Sequence, residues 1–332
     1  MQKIVLSLMT MTSVILLGCQ TTPTTRANTT QTVEKQAVTT RVEAQQRPNR
    51  IDFKKIKETE QRPVIALVLG SGGARGYAHI GAIEVLEQAG IHPDFIVGTS
   101  AGSIVGSIYA SGKPAIELRN IALSMKANDV RDIKLDMKGF FNGKKVEDYV
   151  NLQVDQTPLE ALKIPMFVVA TELKEGKKVV FNYGDTGQAV RASVSIPSMF
   201  IPTTIEDKEY VDGGLVSPVP VDIARELGAD IVIAVDILAQ PEHTETTNVW
   251  GLFNQNINIM QNRLAAQELK HADVVIQPDL REKGHIFDVR GRELTMQAGA
   301  DAALQQLQNI GQVFEMHNYN NVEKISKLLT KH

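Results

Sequence analysis

The feature that most constrains the fold is the apolar run VIALVLG at Val64–Gly70, which ends in glycine. A continuous run of this length, without alternating polar residues, is typical of a strand buried on both faces, as in a parallel sheet. The apolar residues that follow have helical spacing over 77–90 and stop at Gly90. The sequence therefore predicts a strand–turn–helix unit and an α/β fold.

Further strands and helices alternate after this unit. The predicted strands are DFIV, MFVVATEL, KVVFNY, DIVIAVDIL and DVVIQPD, and the predicted helices are AGSIVGSIYASG, DTGQAVRASVSI and VPVDIARELGA. Alternation of this kind predicts a mostly parallel sheet flanked by helices on both faces.

Composition limits the class of function. The 332 residues are 43% hydrophobic and 22% charged, with a formal net charge of −3. This is the balance of a globular protein long enough for one large domain or two small ones. Nucleic acid is not an expected partner, because nucleic-acid-binding proteins usually concentrate positive charge on one surface. Aromatic residues, at 5%, are too few to favour base stacking.

The first residues have the pattern of a secretory signal. Lys3 precedes an apolar run that is too short to span a membrane comfortably and ends in LLGC at Leu16–Cys19. LLGC resembles the lipobox of bacterial lipoproteins, which implies a signal peptide over 1–18 and a lipidated Cys19 anchored in the membrane. Cys19 is the only cysteine. A core cysteine in a cytosolic protein is the alternative, which the apolar leader disfavours. Gln20, by the same resemblance, implies the outer membrane, facing the periplasm.

The chain after Cys19 is rich in Thr, Gln and Ala and poor in large apolar residues. Such a composition cannot bury enough surface to offset the cost of ordering. Residues 19–62 are therefore predicted to be a lipidated N-terminus and flexible tether, with local helix as an alternative. The folded domain is predicted at 63–315, and a charged, weakly amphipathic tail at 316–332.

The stretch Gly98-Thr99-Ser100-Ala101-Gly102 follows a predicted strand and opens a predicted helix. A turn this tight leaves no room for side chains beside the serine, which accounts for Gly98 and Gly102. It would expose the Ser100 hydroxyl at the carboxyl edge of the sheet, near the positive end of the following helix. The pattern is common by itself, but its position between strand and helix favours a nucleophile on a sharp turn.

A second glycine-rich turn, Gly70-Ser71-Gly72-Gly73-Ala74-Arg75-Gly76, also joins a strand to a helix. Successive glycines allow backbone N–H groups to converge on a negative oxygen, as an oxyanion hole or a phosphate nest. A dinucleotide-binding turn fits poorly, because the glycine spacing differs and the second strand ends in Gly98 instead of an acidic residue. A packing turn that needs only flexibility remains an alternative.

A third motif, Asp212-Gly213-Gly214, follows a short predicted strand. By itself it would be a surface turn. In a chain that also has a serine elbow and a glycine loop, Asp212 becomes the candidate base for Ser100. No histidine stands in a motif that would complete a triad, and the elbow comes too early among the strands for an α/β-hydrolase.

The three motifs, in this order, resemble the patatin-like phospholipase family, most closely its bacterial branch related to neuropathy target esterase. The family's glycine block reads GGGxRG, and Ser71 here replaces the first glycine; RASVSIPSMFIP at Arg191–Pro202 is also similar. The resemblance covers roughly 64–238 and implies a three-layer α/β/α fold. It implies a dyad in which Ser100 is the nucleophile and Asp212 accepts its proton.

The resemblance also implies the rest of the site. The oxyanion donors would be N–H groups of Gly72 and Gly73, with Ala101 as a further candidate. The implied site residues are Gly72, Gly73, Ala74, Arg75 and Gly76 in the glycine loop, Gly98 and Gly102 in the elbow, and Asp212, Gly213 and Gly214. Arg75 either faces a lipid phosphate or pins the loop through hydrogen bonds to carbonyl groups.

The expected function is hydrolysis of phospholipid or lysophospholipid acyl esters at a membrane, without cofactor or metal. A carboxylesterase of small esters with the same dyad, and a catalytically silent lipoprotein that binds lipid or a partner, remain alternatives. Two stretches are candidates for lipid contact. One is a loop at Phe140–Phe141, and the other is the apolar stripe of a predicted helix, made of Trp250, Phe253, Ile257, Met260 and Leu264. A stripe of this kind is more often core.

Overall fold

The computed structural model describes residues 53–244, 246–280, 291–319, 324–325, 328 and 330. The predicted signal peptide, Cys19 and most of the predicted tether lie outside these residues, as does part of the predicted tail. The boundaries proposed for those segments therefore stay predictions.

The described strands form one large sheet and one small hairpin. They are β1 (Ile65–Leu69), β2 (Phe95–Thr99), β3 (Ile133–Asp136), β4 (Gly139–Phe141), β5 (Met166–Glu172), β6 (Lys177–Phe181), β7 (Thr203–Ile205), β8 (Lys208–Asp212), β9 (Ile231–Val235) and β10 (Val274–Ile276). The large sheet has the order β10-β9-β1-β2-β5-β8-β7, and β6 pairs with β5. Strands β10, β9, β1, β2 and β5 pair in parallel, whereas β6, β7 and β8 are antiparallel. The predicted mostly parallel sheet is confirmed.

Helices cover both faces of this sheet. The α-helices are α1 (Phe53–Lys55), α2 (Tyr77–Gln88), α3 (Ala101–Ala110), α4 (Ala115–Ser124), α5 (Ala127–Val130), α6 (Lys144–Gln153), α7 (Thr186–Val194), α8 (Val221–Glu226), α9 (Val249–Glu268) and α10 (Arg292–Met316). Short 3-10 or π turns occupy Ile56–Glu60, Gly73–Gly76, Leu159–Ala161, Gly213–Leu215, Pro241–His243 and Leu269–His271. None of the helices in the described ranges has both the length and the apolar character needed to cross a bilayer.

Strand β1 shows why its sequence is apolar throughout. Ile65, Leu67 and Leu69 join a core cluster that includes residues of α2, α3 and α10, whereas Ala66 and Val68 join a cluster that includes residues of α8. Successive side chains of a strand point to opposite faces, so a strand covered on both sides needs apolar residues at every position. The two clusters form the two cores of the α/β/α arrangement.

The longest helix, α10, was not predicted from the sequence. It packs along α2 at a distance that only glycine allows: a Cβ on Gly81 would lie 1.8 Å from the Met296 carbonyl oxygen. A Cβ on Gly299 would lie 2.0 Å from the Ala78 carbonyl oxygen. The contact depends on these paired glycines, which a search for an apolar stripe does not detect.

Helix α9 presents its polar residues to the protein. Gln255 and Asn262 donate hydrogen bonds to the carbonyl oxygens of Pro241 and Ala239. The stripe expected to be core instead includes Met260 and Leu264, which are exposed. Nothing is described of the Trp250 side chain. The core interpretation of this stripe is therefore wrong for Met260 and Leu264, because amide side chains occupy the inner face.

Candidate active site

The sheet topology brings the ends of β2 and β8 together. β2 runs parallel to β5 and ends with Thr99 opposite Val169, whereas β8 runs antiparallel to β5 and ends with Asp212 opposite Ala170. β6 pairs with β5 from Val168 to Glu172 and so occupies one edge of β5 alongside both strands. β2 and β8 therefore lie along the other edge of β5 and meet head-on. Ser100 follows Thr99 directly, and its Oγ donates a hydrogen bond of 2.6 Å to Asp212 Oδ2. Two motifs that lie 112 residues apart are thus joined.

Ser100 has a strained backbone. Its φ is 51° and its ψ is −116°, a conformation that non-glycine residues rarely adopt. The turn packs so closely that a Cβ on Gly102 would lie 2.0 Å from the Leu69 carbonyl oxygen. A Cβ on Gly98 would lie 2.7 Å from the Gly102 carbonyl oxygen. Both glycines predicted for the elbow are therefore required by close packing, and the turn has the strained geometry of a nucleophile elbow.

Ser193 on α7 supports the elbow, a role that the sequence analysis did not assign. The Ser100 N–H donates a hydrogen bond of 2.8 Å to Ser193 Oγ, which in turn donates to the Val169 carbonyl oxygen at 2.6 Å. Ser193 is completely buried. It lies in the RASVSIP segment that resembles the family, and this resemblance was the available signal.

Asp212 is buried and oriented from several sides. Its Oδ1 accepts a hydrogen bond of 2.7 Å from the Gly214 N–H, and its own N–H donates to the Ser195 carbonyl oxygen at 2.9 Å. Burial raises the pKa of Asp212 from 3.8 to about 6, although the hydrogen bonds from Ser100 and Gly214 oppose this rise. The carboxyl is therefore ionised at neutral pH and more basic than an exposed aspartate.

The glycine loop lies beside the elbow and is fixed by backbone contacts. The Ser71 N–H donates to the Pro218 carbonyl oxygen at 2.8 Å, so the residue that departs from the family pattern has its donor engaged. In the part of the chain that the structure describes, the Gly72 N–H has no hydrogen-bond acceptor. A Cβ at Gly72 would lie 2.7 Å from the Ile237 side chain.

Arg75 pins this loop. Its Nε donates a hydrogen bond of 2.9 Å to the Ile237 carbonyl oxygen. Burial lowers the pKa of Arg75 to about 10, and the charge of Asp236 opposes this effect. Of the two roles considered for Arg75, the observed contact is the one with a carbonyl group.

An apolar cavity of about 180 Å³ opens beside Ser100. Glycine-loop and elbow residues form one end, and the walls are apolar side chains of α2, α3, α4 and α6. The lining includes Gly73, Ala74, Ser100, Ile80, Ile104, Ile108, Leu118, Ile121, Val146, Val150 and Phe200. Ile108 lies eight residues beyond Ser100, about 12 Å along the helix axis at 1.5 Å per residue. The few polar side chains in the lining are those of Tyr77, Tyr149 and Arg131.

The hairpin of β3 and β4 packs against a residue that lines this cavity. Phe141 packs against Phe200, with ring centroids 5.5 Å apart, and Phe200 lines the cavity. Phe140 is 56% exposed on the same strand. The predicted loop at Phe140–Phe141 is therefore part of strand β4, and only Phe140 faces outward.

The described histidines take no part in the Ser100–Asp212 contact. His79 is fully buried and its Nε2 lies 2.8 Å from the Gly70 carbonyl oxygen. Burial lowers the pKa of His79 to about 4, so the ring is neutral at neutral pH. His271 pairs with Asp222, and His317 contacts the Val313 carbonyl oxygen.

Comparisons with known proteins agree with this geometry. The family described as patatin-like phospholipase matches residues 67–225. An uncharacterized NTE family protein of Mycobacterium tuberculosis is 37% identical over 178 residues, which are 53% of this chain and 49% of that protein. The human patatin-like phospholipase domain-containing protein 6 is 31% identical over 232 residues, 66% of this chain and 17% of that protein.

A solved structure supports the fold. The crystal structure of VipD from Legionella pneumophila aligns with a TM-score of 0.50 at 14% identity, covering 77% of this chain and 67% of that chain. The present chain spans about half the length of the mycobacterial relative. The matched motifs, the sheet order and the strained serine turn agree with the family match: residues 67–225 are similar to the patatin-like phospholipase family.

Proposed function

We propose that the protein is a serine acyl hydrolase that cleaves the acyl esters of phospholipids or lysophospholipids. The observation that carries this proposal is the 2.6 Å contact between Ser100 Oγ and Asp212 Oδ2 at the end of an apolar cavity. Similarity to proteins described as patatin-like phospholipases and as NTE family members supports the reaction class.

The proposed reaction has two steps. Ser100 Oγ attacks the ester carbonyl carbon as Asp212 Oδ2 takes the hydroxyl proton. The ester C–O bond then breaks, and the leaving alcohol receives that proton. In the second step Asp212 removes a proton from water, which attacks the acyl-enzyme; the acyl–Oγ bond breaks, the fatty acid leaves, and the proton returns from Asp212 to Ser100 Oγ. Backbone N–H groups of the glycine loop, beginning with Gly72, would stabilise the oxyanion; loss of one such donor typically costs about 2.7–4 kcal/mol.

The cavity supports a lipid substrate. Apolar side chains along α3 and α4 form the walls, and Arg131 is the one charged residue among the described residues of the cavity lining. An acyl chain placed there would gain about 0.8 kcal/mol of binding free energy for each methylene buried. A short soluble ester would leave most of the cavity unfilled. The cavity therefore favours a lipid over a small ester.

The test is release of fatty acid from phospholipid and lysophospholipid vesicles. We expect Ser100→Ala and Asp212→Asn to lose more than about 10³-fold of the activity while remaining folded. Hydrolysis of short esters alone by the wild type would point to a carboxylesterase. Absence of both hydrolysis and labelling by a fluorophosphonate probe would point to a silent binding protein.

We also propose that Cys19 is lipidated and that the anchor holds the enzyme at the outer membrane, facing the periplasm. The proposal rests on the LLGC sequence and on Gln20. Labelling with radioactive palmitate tests it: the wild type should incorporate label and move with outer-membrane fractions, whereas Cys19→Ser should do neither. Label in the Cys19→Ser variant would contradict the proposal.

A further inference from the structure

The segment Ser217–Val219 connects all three motifs. It begins five residues after Asp212, and its carbonyl groups reach the other two motifs. The Ser217 carbonyl oxygen accepts a hydrogen bond of 2.9 Å from Thr99 Oγ1, the residue before the nucleophile. The Pro218 carbonyl oxygen accepts the Ser71 N–H of the glycine loop at 2.8 Å. The connecting segment therefore bridges the elbow and the glycine loop through hydrogen bonds.

A buried carboxylate holds the connecting segment. Glu268, at the last position of α9, accepts a short hydrogen bond from Ser217 Oγ through Oε1 and a bond of 3.0 Å from the Val219 N–H through Oε2. Ser217 is fully buried and Glu268 is 5% exposed. The two carboxylate oxygens thus accept hydrogen bonds from Ser217 and from Val219. Two contacts on residues two positions apart fix both the position and the orientation of the segment.

The surroundings of Glu268 do not account for its burial. Its nearest cation, Lys178 Nζ, lies 4.0 Å from Oε1, and Asp222 adds a second negative charge nearby. A buried and weakly paired carboxylate costs stability. Elsewhere on α9, the neutral amides of Gln255 and Asn262 and the buried Ala265 attach the helix, so an acidic residue is not needed for this purpose.

We propose that Glu268 is a positioning residue for the reaction at Ser100. It touches neither substrate nor reacting atoms. It holds Ser217–Val219 in place. Through the hydrogen bonds of this segment to Thr99 and Ser71, it aligns the nucleophile with the glycine loop. The inference rests on the proposed hydrolase function and deepens it, because it assigns the alignment of nucleophile and oxyanion donors to a side chain outside the three motifs.

The experiment measures kcat and KM for a short soluble ester, and the rate of fluorophosphonate labelling, well below each variant's melting temperature. Glu268→Ala should lower kcat and the labelling rate about 10- to 100-fold, because small misplacements of reacting groups have effects of this size. KM should stay nearly constant, since the cavity is intact. Glu268→Gln should recover most of the rate: its amide oxygen accepts the Val219 N–H, and its NH₂ donates to Ser217 Oγ.

Asp94→Ala is the matched control. Asp94 accepts the Ile65 N–H at 2.8 Å, so it also holds a backbone amide with a carboxylate, but at the opposite end of β1 from the glycine loop. The Asp94→Ala variant should have a lower melting temperature but a kcat within about 3-fold of the wild type, as expected for a change remote from the site.

Two results would overturn the proposal, and they are distinguishable. Equal kcat in Glu268→Ala and Asp94→Ala, with an active wild type, would show that Glu268 contributes only to stability. A wild type that neither hydrolyses esters nor reacts with the probe would overturn the hydrolase function, and the positioning role with it.

Discussion

Two buried serine–carboxylate pairs, Ser100 with Asp212 and Ser217 with Glu268, look alike in most respects. All four residues are at most 5% exposed, and burial raises the pKa of Asp212 to about 6 and that of Glu268 to about 7. The two serines differ in backbone conformation and in their access to the cavity. Ser100 has a φ of 51° and borders the cavity, whereas Ser217 is fully buried and is not among the residues that line the cavity. A buried carboxylate with a raised pKa therefore does not by itself identify an active site.

The sharpest test of this difference is covalent labelling. A fluorophosphonate should modify Ser100 and leave Ser217 unmodified, because only Ser100 borders a space that the probe can enter. Peptide mapping by mass spectrometry would show the site. Ser217→Ala should be labelled at close to the wild-type rate, since the bond from the Val219 N–H to Glu268 remains, whereas Ser100→Ala should lose all labelling. Modification of Ser217 would make the two pairs equivalent and contradict the comparison.

The strained backbone can be tested through Ser193. Ser193→Ala removes the acceptor of the Ser100 N–H and leaves a buried donor unsatisfied, which costs about 1–3 kcal/mol. We expect kcat on a soluble ester to fall about 10- to 100-fold as the elbow relaxes.

Ser111→Ala is the control for this variant. Ser111 Oγ bonds the Ile108 carbonyl oxygen at 2.7 Å, at the far end of α3, so its loss should leave kcat unchanged. A Ser193→Ala enzyme with wild-type kcat would show that Ser193 is not needed to hold the turn.

The pH dependence should separate the two carboxyl groups. Asp212 must be ionised to act as a base, so kcat/KM should fall below about pH 6. Glu268→Gln should keep the same acid limb. An acid limb near pH 4 would contradict the assignment of Asp212 as the base.

Glu268 should instead appear in the pH dependence of stability. Its pKa is about 7 in the folded protein and 4.5 ordinarily. Stability from this group is fully present below about pH 4.5 and is lost as the pH rises through 7, on the order of 3 kcal/mol in total. Urea unfolding from pH 4 to pH 8 should show a shallower decline in Glu268→Gln than in the wild type. Parallel curves would show that Glu268 has no raised pKa.

The smallest expected effect concerns Lys178, a cation that lies near Glu268. Lys178→Ala should raise the pKa of Glu268 further and lower the unfolding free energy at pH 8 by no more than about 1 kcal/mol, because the ion pair is long and partly exposed. Activity should not change. A larger loss would mean that Lys178 compensates the buried charge of Glu268.

Patterns that are local in sequence were predictable, whereas a contact between distant segments was predictable only where the combination of motifs and the family resemblance joined them, as for Ser100 and Asp212. The apolar runs of β1 and β2, the two glycine turns and Asp212-Gly213-Gly214 are each contained within a few residues, so periodicity and turn chemistry identify them. Ser193 carries no signal beyond the family resemblance of its segment, and Glu268 carries none, because their partners are 93 and 51 residues away. The polarity of α9 was misread because its inner face bonds to carbonyl groups, whereas sequence patterns assume an apolar inner face.

The head-on meeting of β2 and β8 determines when the proposed active site is assembled. The elbow and its strand are synthesised more than a hundred residues before Asp212, and contacts of such long range form late in folding because the chain entropy lost in closing them is large. A nascent or partly folded chain therefore holds a serine without its base. On the proposed mechanism, hydrolysis begins only once β8 has brought Asp212 to Ser100.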